Sequence, residues 1–263
     1  MICLILGDSD FPKKVLSNIK SQNIKYFIID LSKKNIFKNN KNSNKISIGQ
    51  FGKMIKLIKL KKCNKVLFAG KINKPKLSSL RMDFKGFYYL PKILKASKLG
   101  DAAIIKLIIN ILKNEKISVI SSISFSPHLS LKRGNYSKIK PNKNDILEIK
   151  QGKKYLNKLN ALNHVQGLIV GNGKILRTET SLGTKKMIQT IKPSKIKEGI
   201  LIKLPKKKQD LRIDLPTIGL DTLIDCQKAG LKGIVLKHNQ NIFLDKKKCI
   251  KFANKNKIFI NIK

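Results

Sequence analysis

The sequence predicts an α/β protein with a parallel sheet in its first half and a mixed α/β arrangement in its second half. Up to Ser122, short apolar runs alternate with helix-periodic stretches, which is the pattern of βαβ units. The second half contains Gly171-Asn172-Gly173, a strong hairpin turn, among closely spaced apolar runs. With 263 residues and 41% hydrophobic content, the chain can bury a core in one large or two modest domains.

In the first half, four apolar runs predict strands at Ile2–Leu6, Tyr26–Asp30, Val66–Gly70 and Ile117–Ser122. Helix-spaced apolar residues predict helices at Pro12–Lys20, Phe51–Leu60 and Leu90–Leu112, the last as one helix or two. Parallel sheets bind ligands at the carboxyl ends of their strands. The candidate positions are therefore Gly7-Asp8, Asp30 and Ala69-Gly70-Lys71.

The stretch 127–144 interrupts this alternation and is rich in Pro, Ser, Asn, Gly and Lys. It predicts a linker or functional loop between a first domain at 1–126 and a catalytic α/β domain at 145–263. In the second domain, helices are expected at Asp145–Leu162, Thr184–Ile191 and Asp221–Lys228. Strands are expected at Gly167–Val170, Lys174–Thr178, Ile200–Leu204, Ile234–Leu236, Ile242–Leu244 and Ile258–Ile262.

The charge balance is strongly basic, with 57 Lys and Arg against 15 Asp and Glu, for a net charge of +42. Such a charge favours polyanions, whether nucleic acid, anionic lipid or phosphorylated substrates. The basic residues are almost all Lys and are spread along the chain, whereas nucleic-acid proteins usually cluster them. We interpret most of the excess positive charge as compositional drift. If the charge instead reflects function, the main alternative is a basic nucleic-acid-binding protein without catalysis.

The sequence lacks the patterns that are typical of several other kinds of functional site. The four cysteines are far apart, which argues against a zinc site or a disulfide framework and favours reduced thiols. His128, His164 and His238 are dispersed, and Ser121-Ser122 lies outside a G-x-S-x-G turn. Without a G-x-G-x-x-G fingerprint, a nucleotide-dependent oxidoreductase has little support, although Asp30 could be a ribose-binding acid or a loop cap.

The scarce acidic residues concentrate in one window, at Asp210, Asp214, Asp221 and Asp225. Mg²⁺ binds through one or two carboxylates together with substrate phosphate oxygens. Asp214 is the best candidate because it lies between an apparent strand and Pro216, ahead of Thr217 and Gly219 at a helix entry. It could hold a metal or activate water, or it could be a turn carboxylate bonded to its own backbone.

Basic residues flank this acidic window, at Lys203, Lys206, Lys207, Lys208 and Arg212. The planar guanidinium of Arg212 suits phosphate oxygens, but it could equally pair with Asp210 or Asp214. The lysine run is better explained as a solvated loop, and Asp221 stands where a helix N-cap belongs.

Several segments, in order along the chain, resemble the UDP-2,3-diacylglucosamine pyrophosphatase family of the LpxI type. The closest stretch is Gln209–Gly219, QDLRIDLPTIG, continued by Thr222 and Ala229–Gly233. The other matching pieces are Gly49–Lys53, Phe68–Pro75, Lys98–Asp101, and Glu179 with Gly183-Thr184. Each matching piece alone is weak evidence for the family, whereas the whole set in this order is specific to it.

The resemblance implies a cytoplasmic enzyme of lipid A synthesis that works at the inner membrane surface. It would split UDP-2,3-diacylglucosamine into UMP and 2,3-diacylglucosamine 1-phosphate (lipid X), with Mg²⁺. The family has an N-terminal Rossmann-like domain and a distinct C-terminal domain, with substrate held between them. The expected partners are therefore the substrate and an anionic membrane surface, with no specific nucleic acid and with a homodimer left open.

The family's critical aspartate corresponds to Asp214. The expected metal ligands are Asp214, Glu179 and Asp210. The substrate-binding candidates are Gly7, Asp10, Ala69, Gly70, Lys71, Thr184, Lys203, Arg212 and Thr217. The chain departs from the family pattern where Gly7 is followed by Asp8-Ser9 rather than by further glycines, and where Lys185 and Lys237 replace acids.

Overall fold

The computed structural model describes residues 1–72, 80–163, 165–192, 197–206 and 209–263. His164, Lys207, Lys208 and the segment 73–75, all considered above, lie outside the described residues. The chain divides into two compact units. The first contains Met1–Pro127 and Arg212–Asp214, and the second contains His128–Leu211 and Leu215–Lys263.

The first unit is built on a five-stranded parallel sheet with the strand order β3-β2-β1-β4-β5. Its strands are β1 (Ile2–Leu6), β2 (Tyr26–Asp30), β3 (Ser43–Lys45), β4 (Lys65–Ala69) and β5 (Ser118–Ile120). Its helices are α1 (Phe11–Ser21), α2 (Phe51–Leu60), α3 (Phe84–Lys98) and α4 (Asp101–Asn114). The predicted α/β class is confirmed.

Both faces of this sheet are buried, which explains why β1 is a continuous apolar run. On one face, Cys3 and Ile5 pack with Ile58 of α2 and Ile111 of α4. Leu4, which points to the opposite face, is also fully buried. Alternating strand residues thus enter two separate apolar layers.

Three features of the first unit were left open or missed in the sequence prediction. Of the one or two helices expected over Leu90–Leu112, the structure shows two, separated at Leu99 and Gly100, where Gly100 has a φ of +99°. Helix α3 also begins at Phe84, because the Asp83 carboxylate caps it by accepting from the Gly86 N–H at 2.8 Å. The strand β3 was not predicted, since Ser43–Lys45 is a polar edge strand.

The second unit is built on a six-stranded mixed sheet with the order β6-β13-β11-β9-β7-β8. Its strands are β6 (Gly134–Asn135), β7 (Gly167–Gly171), β8 (Lys174–Thr178), β9 (Ile200–Lys203), β11 (Gly233–Leu236) and β13 (Phe259–Ile262). A separate parallel pair joins β10 (Thr217–Ile218) to β12 (Ile242–Phe243). The helices are α5 (Lys143–Asn163), α6 (Gly183–Gln189), α7 (Leu220–Lys228) and α8 (Lys246–Lys255).

Strands β9, β11 and β13 are parallel, and their carboxyl ends therefore share one edge of the sheet. The predicted hairpin joins β7 to β8, with Asn172 and Gly173 at positive φ values of 52° and 69°. The stretch expected as a linker contributes β6, whose Gly134 pairs with Ile262 of β13. Within the described ranges, no helix combines the length and apolar character needed to cross a bilayer.

Asp83 also joins two helices, because its second carboxylate oxygen accepts from the Lys53 N–H of α2 at 2.8 Å. Burial alone would raise the pKa of this carboxyl, but the backbone donors of Lys53, Gly86 and Gly52 outweigh burial and lower its pKa below the ordinary value. The ionised carboxylate therefore stabilises the fold at neutral pH.

We predict that Asp83→Asn destabilises the protein by about 1 kcal/mol at pH 7, the usual value of a helix cap. A depressed folded-state pKa contributes stability that is present above the unfolded pKa of about 3.9 and is lost as pH falls through the folded value. Thermal unfolding followed by circular dichroism should show a constant difference from neutral pH down to about pH 3.9, the unfolded pKa, and a shrinking difference below that pH. A difference that grew on acidification would contradict this account.

Candidate functional site

In the first unit, the ends of β1 and β4 are tied together by backbone hydrogen bonds. The Gly7 N–H donates to the Ala69 carbonyl at 2.9 Å, and Asp8 and Lys71 exchange N–H···O bonds of 2.8 and 2.9 Å. Four of the predicted substrate-binding residues therefore lie together at one sheet edge: Gly7, Ala69, Gly70 and Lys71.

The glycines at this edge are required by the close approach of the two chains. A Cβ on Gly7 would lie 2.4 Å from the Lys71 carbonyl oxygen. Gly70 has a φ of +92°, and its Cβ would lie 2.4 Å from Cγ of Pro12. Asp10 occupies the N-cap position of α1 without a side-chain cap bond, and its exposed carboxylate pairs with Lys13 at 3.3 Å. Its carboxylate thus lies at the surface beside this edge.

Asp30, at the end of β2, is a loop cap. Its carboxylate is fully buried and accepts from the Ser32 N–H at 2.7 Å and the Phe37 N–H at 3.3 Å. The Lys45 ammonium lies 4.0 Å away. Of the two interpretations open from sequence, the structure supports the cap and leaves no exposed carboxylate for a ribose.

The segment that carries Asp214 is anchored on both sides by apolar residues. Ile213 packs against the core of the first unit, and Leu215 is buried in the second. Asp214 itself is half-buried. The sequence predicted that a strand precedes it, and this is wrong, because residues 211–213 form a turn. Asp214 therefore follows a turn between two apolar residues and does not stand at a strand end.

The residues after Asp214 lead into α7. Thr217 is exposed in β10, and its hydroxyl donates to the Leu215 carbonyl at 3.2 Å. Gly219 is the N-cap of α7, so the expected cap at Asp221 is wrong, and Asp221 lies in the first turn of the helix. Arg212 is exposed and groups with the first unit, whereas Asp210 is half-buried in the second. Their substrate and metal roles stay predictions.

In the second unit, three of the predicted residues form a buried hydrogen-bonded chain. The Lys203 ammonium donates to Oγ1 of Thr184 at 2.7 Å, and this hydroxyl donates to Oε1 of Glu179 at 2.6 Å. Lys203 and Glu179 are each only 7% exposed. Burying a lysine is costly unless it is paired or hydrogen-bonded, and the hydroxyl connects it to a carboxylate.

The backbone of the sheet holds this chain in place. Lys203 ends β9 directly opposite Gly167 of β7, and the Glu179 N–H donates to the Gly167 carbonyl at 2.9 Å. A Cβ at position 167 would lie 3.1 Å from Oε2 of Glu179. The absence of a side chain there makes room for the carboxylate.

A set of cations that was not predicted from the sequence lies at the same edge of the second unit. Lys237 follows β11 and Lys263 follows β13, beside Lys203 at the end of β9. Asn241 connects two of these positions, donating to the Lys203 carbonyl at 3.4 Å and accepting from the Lys237 N–H at 2.8 Å. A prediction that β9, β11 and β13 are parallel would have shown that their ends meet.

Helix α5 adds Lys153 to this cationic edge. Burial lowers the pKa of Lys153, and the positive charges of Lys237, Lys263 and Arg133 lower it further. Positive charges close enough to lower the pKa of Lys153 favour a bound anion, because an anion would relieve their repulsion. The edge therefore suits phosphate oxygens.

The fit of Mg²⁺ depends on the carboxylates. Across the described residues, no group of three or more His, Cys, Asp or Glu side chains could enclose a metal ion. Mg²⁺ needs only one or two carboxylates when substrate phosphates and water complete its shell. Oε2 of Glu179 is buried and has no hydrogen-bond partner in the described part of the chain, and such an oxygen suits a hard cation.

Comparisons with known proteins cover both units. Residues 1–129 match the family model described as the LpxI N-terminal domain, and residues 132–261 match that of the LpxI C-terminal domain. A curated relative from Caulobacter vibrioides (strain ATCC 19089 / CIP 103742 / CB 15), named UDP-2,3-diacylglucosamine pyrophosphatase LpxI, is 29% identical over 223 residues. That alignment covers 82% of this chain and 80% of the relative. The chain therefore belongs to the LpxI family.

Proposed function

We propose that this protein hydrolyses the pyrophosphate bond of UDP-2,3-diacylglucosamine to give UMP and 2,3-diacylglucosamine 1-phosphate. The observation that carries the proposal is the pair of family matches, which together span both units and include Asp214, Thr184 and Lys203. The curated relative's name supplies the substrate and the reaction class. One water is consumed, one P–O bond of the anhydride breaks, and each product keeps one phosphate.

The cations of the second unit support this reaction. A diphosphate is anionic, and cleavage places further negative charge on the oxygen that leaves. Lys203 can neutralise such charge from a site that is largely shielded from water, where its electrostatic effect is stronger than in bulk solvent. Lys237, Lys263 and Arg133 add positive charge around Lys153, as its lowered pKa reflects.

Thr184 and Glu179 act in this scheme as positioning residues for Lys203. A lysine ammonium can donate in three directions, and the Thr184 hydroxyl takes one of them. Glu179 fixes that hydroxyl by accepting its proton at 2.6 Å, so the oxygen's lone pairs face the ammonium. This network orients the Lys203 ammonium, which preorganises its positive charge.

Asp214 is the carboxylate that we assign to the reaction centre. It is half-buried, with Ile213 packed against the core of the first unit and Leu215 buried in the second. A carboxylate in this role either accepts the proton of the attacking water or binds a cation. We propose Mg²⁺ as that cation, with Asp214 as a ligand and with Glu179 and Asp210 as further candidates. When bound, Mg²⁺ would polarise phosphoryl oxygens as a Lewis acid.

We expect Asp214→Asn to lower kcat by about 10²-fold or more, the usual contribution of a positioned acid–base group. The amide keeps the shape of the side chain but can neither accept a proton nor balance a cation. The matched control is Asp221→Asn, an exposed acid in the same motif, which should retain activity. Turnover measured as UMP release, with unfolding temperature recorded in parallel, checks this. Near-normal turnover in Asp214→Asn would remove Asp214 from the mechanism.

We expect Lys203→Met to lower kcat/KM by about 10²-fold, in line with the loss of one preorganised charge-stabilising donor. Methionine preserves most of the buried volume of lysine, which limits the structural damage. Lys174→Met, an exposed substitution on β8 of the same sheet, is the matched control and should behave like the wild type.

The predicted role for Glu179 gives a second readout for the same network. Because Glu179 acts through Thr184, Glu179→Gln should change activity less than Lys203→Met does. Its rise in KM or its fall in kcat should be the smaller of the two. Equal activity of Lys203→Met and the wild type would contradict a role for Lys203 in charge stabilisation.

A further inference from the structure

Helix α3 exposes a continuous apolar stripe. Phe84 is 88% exposed, Phe87 60%, Tyr88 61% and Leu94 43%. These positions follow the spacing i, i+3, i+4 and i+10, which keeps them on one side of a helix, and the exposed Pro91 lies at i+7 on the same side. Large apolar side chains exposed together are uncommon and mark an interaction surface.

The opposite side of α3 already has its partner in the core. Gly86 is buried, and Tyr89 packs against the core of the first unit, with its ring centroid 6.1 Å from that of Phe51. The exposed stripe is therefore a second apolar face and not the core-facing one.

Helix α3 is also firmly attached, so its exposure does not come from a loose helix. Asp83 accepts backbone hydrogen bonds from both α2 and α3. Glu115 forms ion pairs with Lys59 of α2 and Lys85 of α3. A Cβ on Gly86 would lie 1.9 Å from the Gly49 carbonyl oxygen, so this glycine allows the close contact. The stripe is held outward by specific interactions.

The charged side chains of α3 itself are all positive. Helix α3 contains Lys85, Lys92, Lys95 and Lys98 and no acidic residue. Lys92 places its ammonium 5.1 Å from the ring centroid of Tyr88. Beside the helix, a groove of about 460 Å³ is lined by Gly52, Ile55, Lys56, Lys59, Leu60 and Lys85. Aromatic residues interleaved with lysines are typical of helices that lie in the headgroup region of a bilayer.

We propose that α3 is the surface by which this protein docks on an anionic lipid bilayer. Phe84, Phe87 and Tyr88 would enter the boundary between headgroups and acyl chains, and the lysines would contact lipid phosphates. Charge complementarity favours lipid over a second copy of the chain, because pairing two such helices would bring their lysines together without an acid. The biological purpose rests on the proposed function, since a diacylated substrate resides in a membrane, but the docking itself can be tested without it.

A tryptophan reporter tests insertion directly, because the chain contains no tryptophan. Phe87→Trp should show a blue-shifted emission with vesicles of phosphatidylcholine and phosphatidylglycerol, and brominated acyl chains should quench it. Leu147→Trp on α5, where the native side chain is 65% exposed, is the matched control and should show neither effect. An unshifted and unquenched Phe87→Trp signal on vesicles that bind the protein would overturn the proposal.

Sedimentation with the same vesicles separates apolar docking from charge alone. The double variant Phe84→Ser and Phe87→Ser keeps every charge, and at about 0.5 M NaCl, where electrostatic attraction is screened, it should bind at least tenfold more weakly than the wild type. Ile146→Ser with Leu147→Ser, an exposed apolar pair on α5, should bind like the wild type. Equal binding by all three proteins would overturn the proposal. It would also be overturned if the α3 variant bound vesicles like the wild type but dissociated a dimer.

These measurements use no substrate, so their failure is distinct from failure of the proposed function. Hydrolysis of detergent-solubilised UDP-2,3-diacylglucosamine by the α3 variant should equal that of the wild type. An inactive wild type that still inserts α3 would reject the enzymatic proposal and leave the docking surface in place.

Discussion

The proposed site depends on the apolar residues on either side of Asp214. Ile213 packs against the core of the first unit and Leu215 is buried in the second, so displacing either residue would expose apolar surface. Apolar neighbours can thus anchor the backbone beside a half-buried carboxylate without a regular strand before it. In the second unit, Lys203 is fixed in a comparable way by Thr184 and by the paired strands around it.

Much of the fold follows from the sequence because the apolar strands are buried on both sides. Runs such as Ile2–Leu6 and Ile200–Lys203 have nearly no polar residues because both of their faces are buried. Such continuous apolar runs can be recognised as strands from the sequence. The prediction failed where local pattern carries little information. The polar edge strand β3 has no apolar run, and the N-terminus of α3 depends on the Asp83 cap rather than on apolar spacing. Whether Leu90–Leu112 forms one helix or two was left open, because the separation of α3 from α4 depends on the backbone of Gly100.

The sequence predicted which residues belong to the candidate site better than it predicted how they are arranged. The strand-end glycines Gly7 and Gly70 were recognised, and the structure shows that they allow two chains to approach closely. The link from Lys203 through Thr184 to Glu179 could not be read from sequence, because it joins strand β9, helix α6 and the loop after β8. Lys237 and Lys263 looked like ordinary members of a lysine-rich chain until strand order placed them at one edge. A compositional bias toward lysine hides the few lysines whose positions matter.

The most direct test of the central claim is to identify the products that purified protein forms from UDP-2,3-diacylglucosamine with Mg²⁺, by phosphorus NMR and mass spectrometry. The account predicts equal amounts of UMP and 2,3-diacylglucosamine 1-phosphate, with formation of both stopped by a chelator and restored by added Mg²⁺. Release of intact UDP would mean that the sugar–phosphate bond is cleaved instead, and it would contradict a pyrophosphatase centred on Asp214, as would a complete absence of reaction.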